Sequence, residues 1–207
     1  MSQTSRKLEW AVWAGLAAIC FAIFVAFLVS QLRSKPLPVL GELSAFTLTN
    51  QTGQMVTLAD FHGQIWIADA IFTRCPGQCL VMSAHMRQIQ DALPLGLPLQ
   101  LVSFTTDPAF DQPSVLKKYA QRFGGRDNCW SFLTGDKSAL HQVEVEGLKL
   151  PVLDKPAAQQ EGNDDLFIHS EKFVLLDKLG RIRGYFDGQD PAAVAEVIAA
   201  AQSLGNE

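Results

Sequence analysis

Cys75 and Cys79, separated by Pro76, Gly77 and Gln78, are the residues of this chain best suited to chemistry. A thiolate is a soft metal ligand and also the attacking species in disulfide exchange. Two thiols within reach of each other therefore either hold a soft cation or pass electron pairs as a disulfide. A spacing of i and i+4 sets both side chains on one side of a first helical turn. A helix N-terminus also favours the thiolate form.

Two elements must place that turn. The apolar run Ile65 to Phe72, rich in β-branched and aromatic residues, predicts a buried strand. From Leu80 to Leu93 the apolar residues Leu80, Val81, Ala84, Ile89 and Leu93 recur at helical spacing. The cysteines thus fall on a strand-to-helix turn. Asp69 lies inside the strand, six residues before Cys75. A buried carboxylate is costly without a partner. Asp69 therefore has a role, a firm hydrogen bond, or a solvated place near the strand end. Cys129 and Cys20 stand alone and read as small buried hydrophobes.

The remaining chain supplies a frame. Its 207 residues suit one domain with an appendage, and a net charge of −4 excludes a basic nucleic-acid footprint. Four cysteines are too few for a disulfide scaffold. Trp10 to Val29 carries no charge and has the length of a bilayer span. It exceeds a signal-peptide core, and no Ala-x-Ala site follows it. The expected organisation is a cytoplasmic tail over 1–9, an uncleaved anchor over 10–30, a linker over 31–40 and a folded domain over 41–207. Arg6 and Lys7 nearly balance Arg33 and Lys35 across the span, and the amino terminus tips inward.

Within the domain, Phe46–Thr49 and Met55–Leu58 predict a hairpin, and Leu99–Phe104 and Trp130–Leu133 two further strands. Helices are expected from Gln112 to Phe123, after the N-cap candidate Asp136, and after Asp190-Pro191. Pro151 to Asp165 reads as an exposed loop. Leu166–Leu176 and Ile182–Phe186 read as a hairpin around Asp177–Gly180. Alternating strands and helices closed by a hairpin and a helix indicate an α/β sandwich. With a dithiol where the first central strand meets the first long helix, the arrangement resembles the thioredoxin fold.

Four segments make the resemblance specific. Phe72-Thr-Arg-Cys-Pro-Gly-Gln-Cys79 is similar to the cysteine signature of the Sco/SenC/PrrC family. Ser103-Phe-Thr-Thr-Asp-Pro108, Trp130-Ser-Phe-Leu-Thr-Gly135 and Ile168-His-Ser170 with the segment to Gly180 resemble further segments of that family, in the same order. Leu80 stands where the family often has proline, which bears on the helix start rather than on the ligands.

The resemblance implies a membrane-anchored, thioredoxin-like α/β protein that binds copper through Cys75, Cys79 and His169. Two sulfurs and an imidazole suit copper, and a three-ligand site with an open side suits a carrier. A structural zinc site would need four closed ligands, which no paired motif here supplies. Asp107 matches a family acid, either as an outer-shell group near the metal or as a turn residue. Met82, His85 and Met86 would be packing and surface residues, or else a copper relay.

The implied function is a metallochaperone in a bacterial inner membrane, with its domain in the periplasm. It would help assemble the dinuclear copper centre of cytochrome c oxidase. Its partner would be the copper-bearing subunit or another copper chaperone. The alternative is a thiol–disulfide oxidoreductase using Cys75, Cys79 and Asp69, and a redox or copper sensor is a third.

Overall fold

The computed structural model describes residue 10 and residues 13–25, 36–93, 99–156 and 167–207. These divide into two units, Met1–Pro36 and Leu37–Glu207. The described part of the first unit is a helix, α1, over residues 13–25. Its apolar side chains, among them Ile19, Phe21 and Phe24, are exposed. Cys20, expected to be buried, is exposed with them, since a single helix covers little of its own surface. No helix among the described residues is long and apolar enough to cross a membrane. The expected span over 10–30 is described only in part. The tail over 1–9 and residues 31–35 of the linker lie outside the described residues.

The second unit begins with the short strand β1 (Gly41–Glu42). The hairpin β2 (Thr47–Asn50) and β3 (Met55–Thr57) follows. Strand β4 (Ile65–Ile71) leads into helix α2 (Gln78–Ala92). Strand β5 (Leu99–Thr105), helix α3 (Pro113–Arg122) and strand β6 (Trp130–Thr134) come next. A short helix α4 (Lys137–His141) runs into a π-helical turn over Gln142–Gly147. Strands β7 (Val152–Asp154), β8 (Phe167–His169), β9 (Lys172–Leu176) and β10 (Arg181–Asp187) precede helix α5 (Ala192–Gly205).

Eight strands form the main sheet in the order β1-β10-β9-β4-β5-β6-β2-β3. At its centre β4, β5 and β6 run parallel, and β9 lies antiparallel to β4. All seven residues of β4 are buried, as a strand covered on both faces requires. Alternate residues feed two cores. Ile65, Ile67 and Ile71 join the cluster with Met82, Met86 and Ile89 of α2. Trp66, Ala68 and Ala70 join the opposite cluster with Phe61, Val102 and Leu133. Asp69 has the parity of Ile67 and Ile71, so it faces the helical side where α2 lies.

The predicted closing hairpin differs from the structure. Leu166–Leu176 is not one strand. Phe167–His169 pairs instead with Val152–Asp154 in a separate two-stranded sheet, and only Lys172–Leu176 joins the main sheet. The break falls at Ser170 and Glu171, where His169 and Ser170 turn inward while Ile168 stays exposed. Part of the expected exposed loop over 151–165 is therefore strand β7, with residues 157–165 outside the described residues. Helix α2 begins at Gln78, two residues before the predicted start.

Buried Arg183 ties the two ends of this unit together. Its guanidinium donates to Asp177 at 2.9 Å, to Glu207 at 2.6 Å and to the carbonyl of Leu37 at 2.6 Å. A buried cation is tolerable only when its donors are matched in this way.

Candidate metal centre

The end of β4 turns sharply. The Cys75 amide donates to the Phe72 carbonyl, and the amides of Leu80 and Val81 donate to the Gly77 carbonyl as α2 starts. Gly77 is the helix N-cap, so Cys79 sits in the first turn. Cys75 and Cys79 are both buried, and Cys79 is fully enclosed. From the other side β8 brings His169, 90 residues after Cys79, to place Nε2 at 3.2 Å from Cys79 Sγ. One donor atom from each of Cys75, Cys79 and His169 lies within 4.8 Å of the others, the only such His, Cys, Asp and Glu cluster of three among the described residues.

His169 is held in one tautomer. Its Nδ1 lies 3.0 Å from the Ser170 carbonyl, which can only accept, so Nδ1 carries the proton. Nε2 is therefore the ring nitrogen left to face the thiols, and the one that a metal there would take. The Phe72 ring meets the imidazole edge-on at 5.6 Å and 90°. Phe72 and His169 also line a cleft of about 430 Å³ over Cys75, with Pro76, Gly77 and Phe167. Cys75 and His169 thus line an accessible cleft, while Cys79 is enclosed and does not line it.

The two thiols differ in charge. The adjoining Cys79 thiol, with His169 and the amides of Cys79 and Gly77, holds the Cys75 thiol down at about 4 against the effect of burial. Cys79 moves the other way: its interaction with Cys75 and its burial push it far above the usual thiol range. The resting pair is a Cys75 thiolate beside a Cys79 thiol, with both sulfurs free.

Asp69 is not the solvated acid of the alternative expectation. It is completely buried, and neither carboxyl oxygen has a hydrogen-bond partner. Burial pushes its carboxyl up to about 7, with Ser103 and His169 moderating the rise. Ser103 lies opposite Asp69 on β5 and accepts a bond from the Trp130 indole at 3.0 Å. The Asp69 charge opposes a thiolate at Cys79. A carboxyl poised near neutrality is suited to exchanging a proton with that buried thiol.

The sign of its effect on stability follows. Below about pH 4 Asp69 is neutral in the folded and unfolded chain alike. As pH rises from 3.8 to about 7 the folded chain keeps a proton that the unfolded chain has lost, so stability falls. Asp69→Asn in the metal-free protein is therefore expected to gain up to about 4 kcal/mol over wild type between pH 4 and pH 8. Urea unfolding of both proteins across that range checks this. A pH-independent difference would mean that Asp69 is ionised in the fold.

Asp107 does not reach the thiols directly. It binds Arg74, the residue before Cys75, with Nη2 at 2.5 Å and Nε at 3.2 Å, while its carbonyl closes the turn to Phe110 and Asp111. The turn reading describes its carbonyl, and its carboxylate pairs with Arg74 rather than with Cys75, Cys79 or His169. Arg74 stacks over Phe110 at 4.4 Å. Sequence reasoning missed Arg74, and also Asp111, which ties Thr73 to Thr105 beneath the turn. Partners 38 residues apart leave no periodic trace.

Met82 and Met86 are fully buried in the core, and His85 Nδ1 donates to the Gly188 carbonyl at 2.8 Å. They are packing residues, and the relay has no geometry to support it. Cys129 is buried as expected, and burial raises its thiol.

A parallel β4-β5-β6 core that delivers a dithiol on a strand-to-helix turn defines a thioredoxin-like protein. The SCO1/SenC family model matches residues 40–203, and this chain belongs to that family. It is 32% identical over 190 residues to the SCO1 protein homolog of Bacillus subtilis, covering 91% of this chain and 95% of that one. BsSco, described with a disulfide switch as a member of the Sco family of cytochrome c oxidase assembly proteins, superposes with a TM-score of 0.71 at 31% identity. That match covers 83% of this chain and 98% of BsSco. Yeast Sco1 with copper bound superposes with a TM-score of 0.63 at 26% identity, covering 78% and 88% of the two chains.

Proposed function

We propose that this protein is a membrane-anchored copper carrier that serves the assembly of the dinuclear copper centre of cytochrome c oxidase. The observation that carries the proposal is the convergence of Cys75 Sγ, Cys79 Sγ and a His169 ring nitrogen within 4.8 Å of one another. Copper is the cargo. Two sulfurs and one imidazole are a donor set that copper prefers, and the cleft leaves a side open for a recipient's ligand. The Cys75 thiolate is ready to coordinate, His169 turns Nε2 toward the sulfurs, and Cys79 must give up its proton for the metal to be held by all three. Asp69 is the group placed to take it. The domain lies in the periplasm, and the apolar, exposed helix over residues 13–25 is part of an inner-membrane anchor. Partners are the copper-bearing subunit of the oxidase or a second copper chaperone. Copper-bound relatives and the assembly role of BsSco support this reading.

One observation favours a second activity. A low-pKa Cys75 in front of a buried Cys79, with Asp69 behind, is an arrangement for reducing a disulfide. Cys75 would attack a target disulfide, and Cys79 would then release the target by closing the Cys75–Cys79 disulfide. The two activities separate in one experiment. The copper-loaded full chain in detergent is mixed with the apo, reduced copper-bearing subunit, and the metal is measured on each protein after separation. The metal-free, reduced chain is mixed in parallel with the subunit in its disulfide form. Copper movement to the subunit is expected in the first mixture. Retention of copper, with subunit thiols appearing in the second mixture, would replace the carrier with the reductase.

A further inference from the structure

A second cavity, of about 240 Å³, shares no lining residue with the cleft over the cysteines. It lies between the turn after β5, helix α4 with its π-helical extension, and strand β7. Two side chains that line it are almost wholly buried and have oxygens without hydrogen-bond partners. Glu144 is 2% exposed, with Oε1 unpaired, and Thr106 is 4% exposed, with Oγ1 unpaired. A buried carboxyl with no partner is costly, and folded chains seldom carry one without a reason.

The neighbouring charges do not answer Glu144. The Lys137 ammonium, also on the cavity wall, is held by both oxygens of Asp154 at 2.7 and 3.0 Å. His141 lines the cavity one turn before Glu144. Burial alone acts on the Glu144 carboxyl and drives it well above the usual range. A nearby positive charge would reverse that preference, because an opposite charge favours the ionised form. Glu144 is also carried by the π-helical turn, a geometry that is rare in proteins and frequent where a side chain has a functional task.

We infer that this cavity binds a small organic cation, whose ammonium or guanidinium group donates to Glu144 Oε1 and Thr106 Oγ1. The polarity follows from the two unpaired oxygens, which call for a donor. The size follows from the volume, which equals about eight water molecules and would leave a bare metal ion mostly unsurrounded. No three His, Cys, Asp or Glu donors converge here among the described residues. Leu140 and Val152 on the walls suit a short carbon chain. The same chemistry is found in free amines and in lysine or arginine side chains of a partner protein.

Titration calorimetry and NMR on the full chain in detergent would use agmatine for a free cation and N-acetyl-arginine-N-methylamide for a presented side chain. One-to-one, saturable binding of at least one probe is expected. Glu144→Gln should weaken it about ten- to a hundredfold, the worth of a hydrogen bond to a charged group. The melting temperature of that variant should be unchanged or higher, since it removes a buried ionisable group. Thr106→Val should weaken binding by about tenfold and stands in if Glu144→Gln fails to fold. Tighter binding of agmatine assigns the site to a free amine, and tighter binding of the capped arginine assigns it to a partner's side chain. Absence of saturable binding of both probes at millimolar concentration would overturn the inference. So would binding indifferent to both substitutions.

Discussion

His169→Ala is expected to lower the copper affinity of the reduced protein by at least about a hundredfold. Loss of a mere outer-shell partner typically costs ten- to a hundredfold in metal affinity, and His169 offers its own nitrogen to the site. Cys75 and Cys79 would remain, and two thiolates still hold Cu(I), so residual binding is expected rather than none. Competition with a chelator of known affinity, under reducing conditions, measures the change. The same variant should exchange disulfides with a model substrate at close to the wild-type rate, because the imidazole is only one of several groups that lower the Cys75 thiol. Copper affinity indifferent to His169 would sink the three-ligand site. A parallel collapse of disulfide exchange would instead show that His169 acts on the thiols.

The second large effect concerns the pH profile of Cys75. With its thiol held near 4, Cys75 is a thiolate throughout the neutral range. Its alkylation by iodoacetamide in the metal-free, reduced protein should be nearly flat from pH 5.5 to 8.5. An ordinary thiol of pKa about 8.5 speeds up by several hundredfold over that interval. Below about pH 4 the Cys75 rate should fall as the sulfur gains its proton. Fully enclosed Cys79 should react far more slowly at every pH. Cys79→Ala removes the largest influence on Cys75, so its profile should rise with pH again. Mass spectrometry of peptides after timed labelling separates the cysteines. A wild-type rate that climbs with a midpoint near 8.5 would refute the thiolate at rest.

Both results bear on one arrangement of charge. The site keeps one sulfur ionised and accessible, and the other protonated and enclosed. In the proposed carrier an incoming soft cation would meet the Cys75 thiolate first, and Cys79 would join it on losing its proton. In the proposed reductase a target disulfide would meet the same thiolate, and release of the target would need the same second deprotonation. Asp69, fully buried on the α2 side of β4, is the proton acceptor that we propose for both routes. The carrier and the reductase therefore differ in whether His169 is needed, and much less in the cysteines.

The elements that carry the dithiol are legible in the chain because they obey a local period. Ile65–Ile71 is apolar along its whole length because both of its faces are covered, and a run of that kind needs no knowledge of its neighbours. The helix that carries Cys79, the helix before Phe123 and the closing helix follow from the 3.6-residue spacing, and the closing helix also from Asp190-Pro191 at its start. The three-residue strands β7 and β8 have too few residues to show a period, so the segment of β7 reads as loop and that of β8 as part of a longer strand. The π-helical turn leaves no mark in composition at all.

The chemistry divides in the same way. The cysteine pair and its place at a strand-to-helix turn are determined by the sequence alone, because five consecutive residues and two adjoining periodic segments specify them. His169 could be named only through a family resemblance, and its distance, its tautomer and the Phe72 ring against it come from strand pairing across 90 residues of chain. The sequence left Asp69 between a solvated and a buried acid. Only the covering of β4 on both faces decides for burial and for a carboxyl near neutrality. The pairing of Arg74 with Asp107, and the unpaired oxygens of Glu144 and Thr106 on the wall of one cavity, likewise exist only once distant segments meet. Local spacing sets which groups a turn or helix presents. Desolvation and partnership, which set their charge and reactivity, are properties of the packed chain.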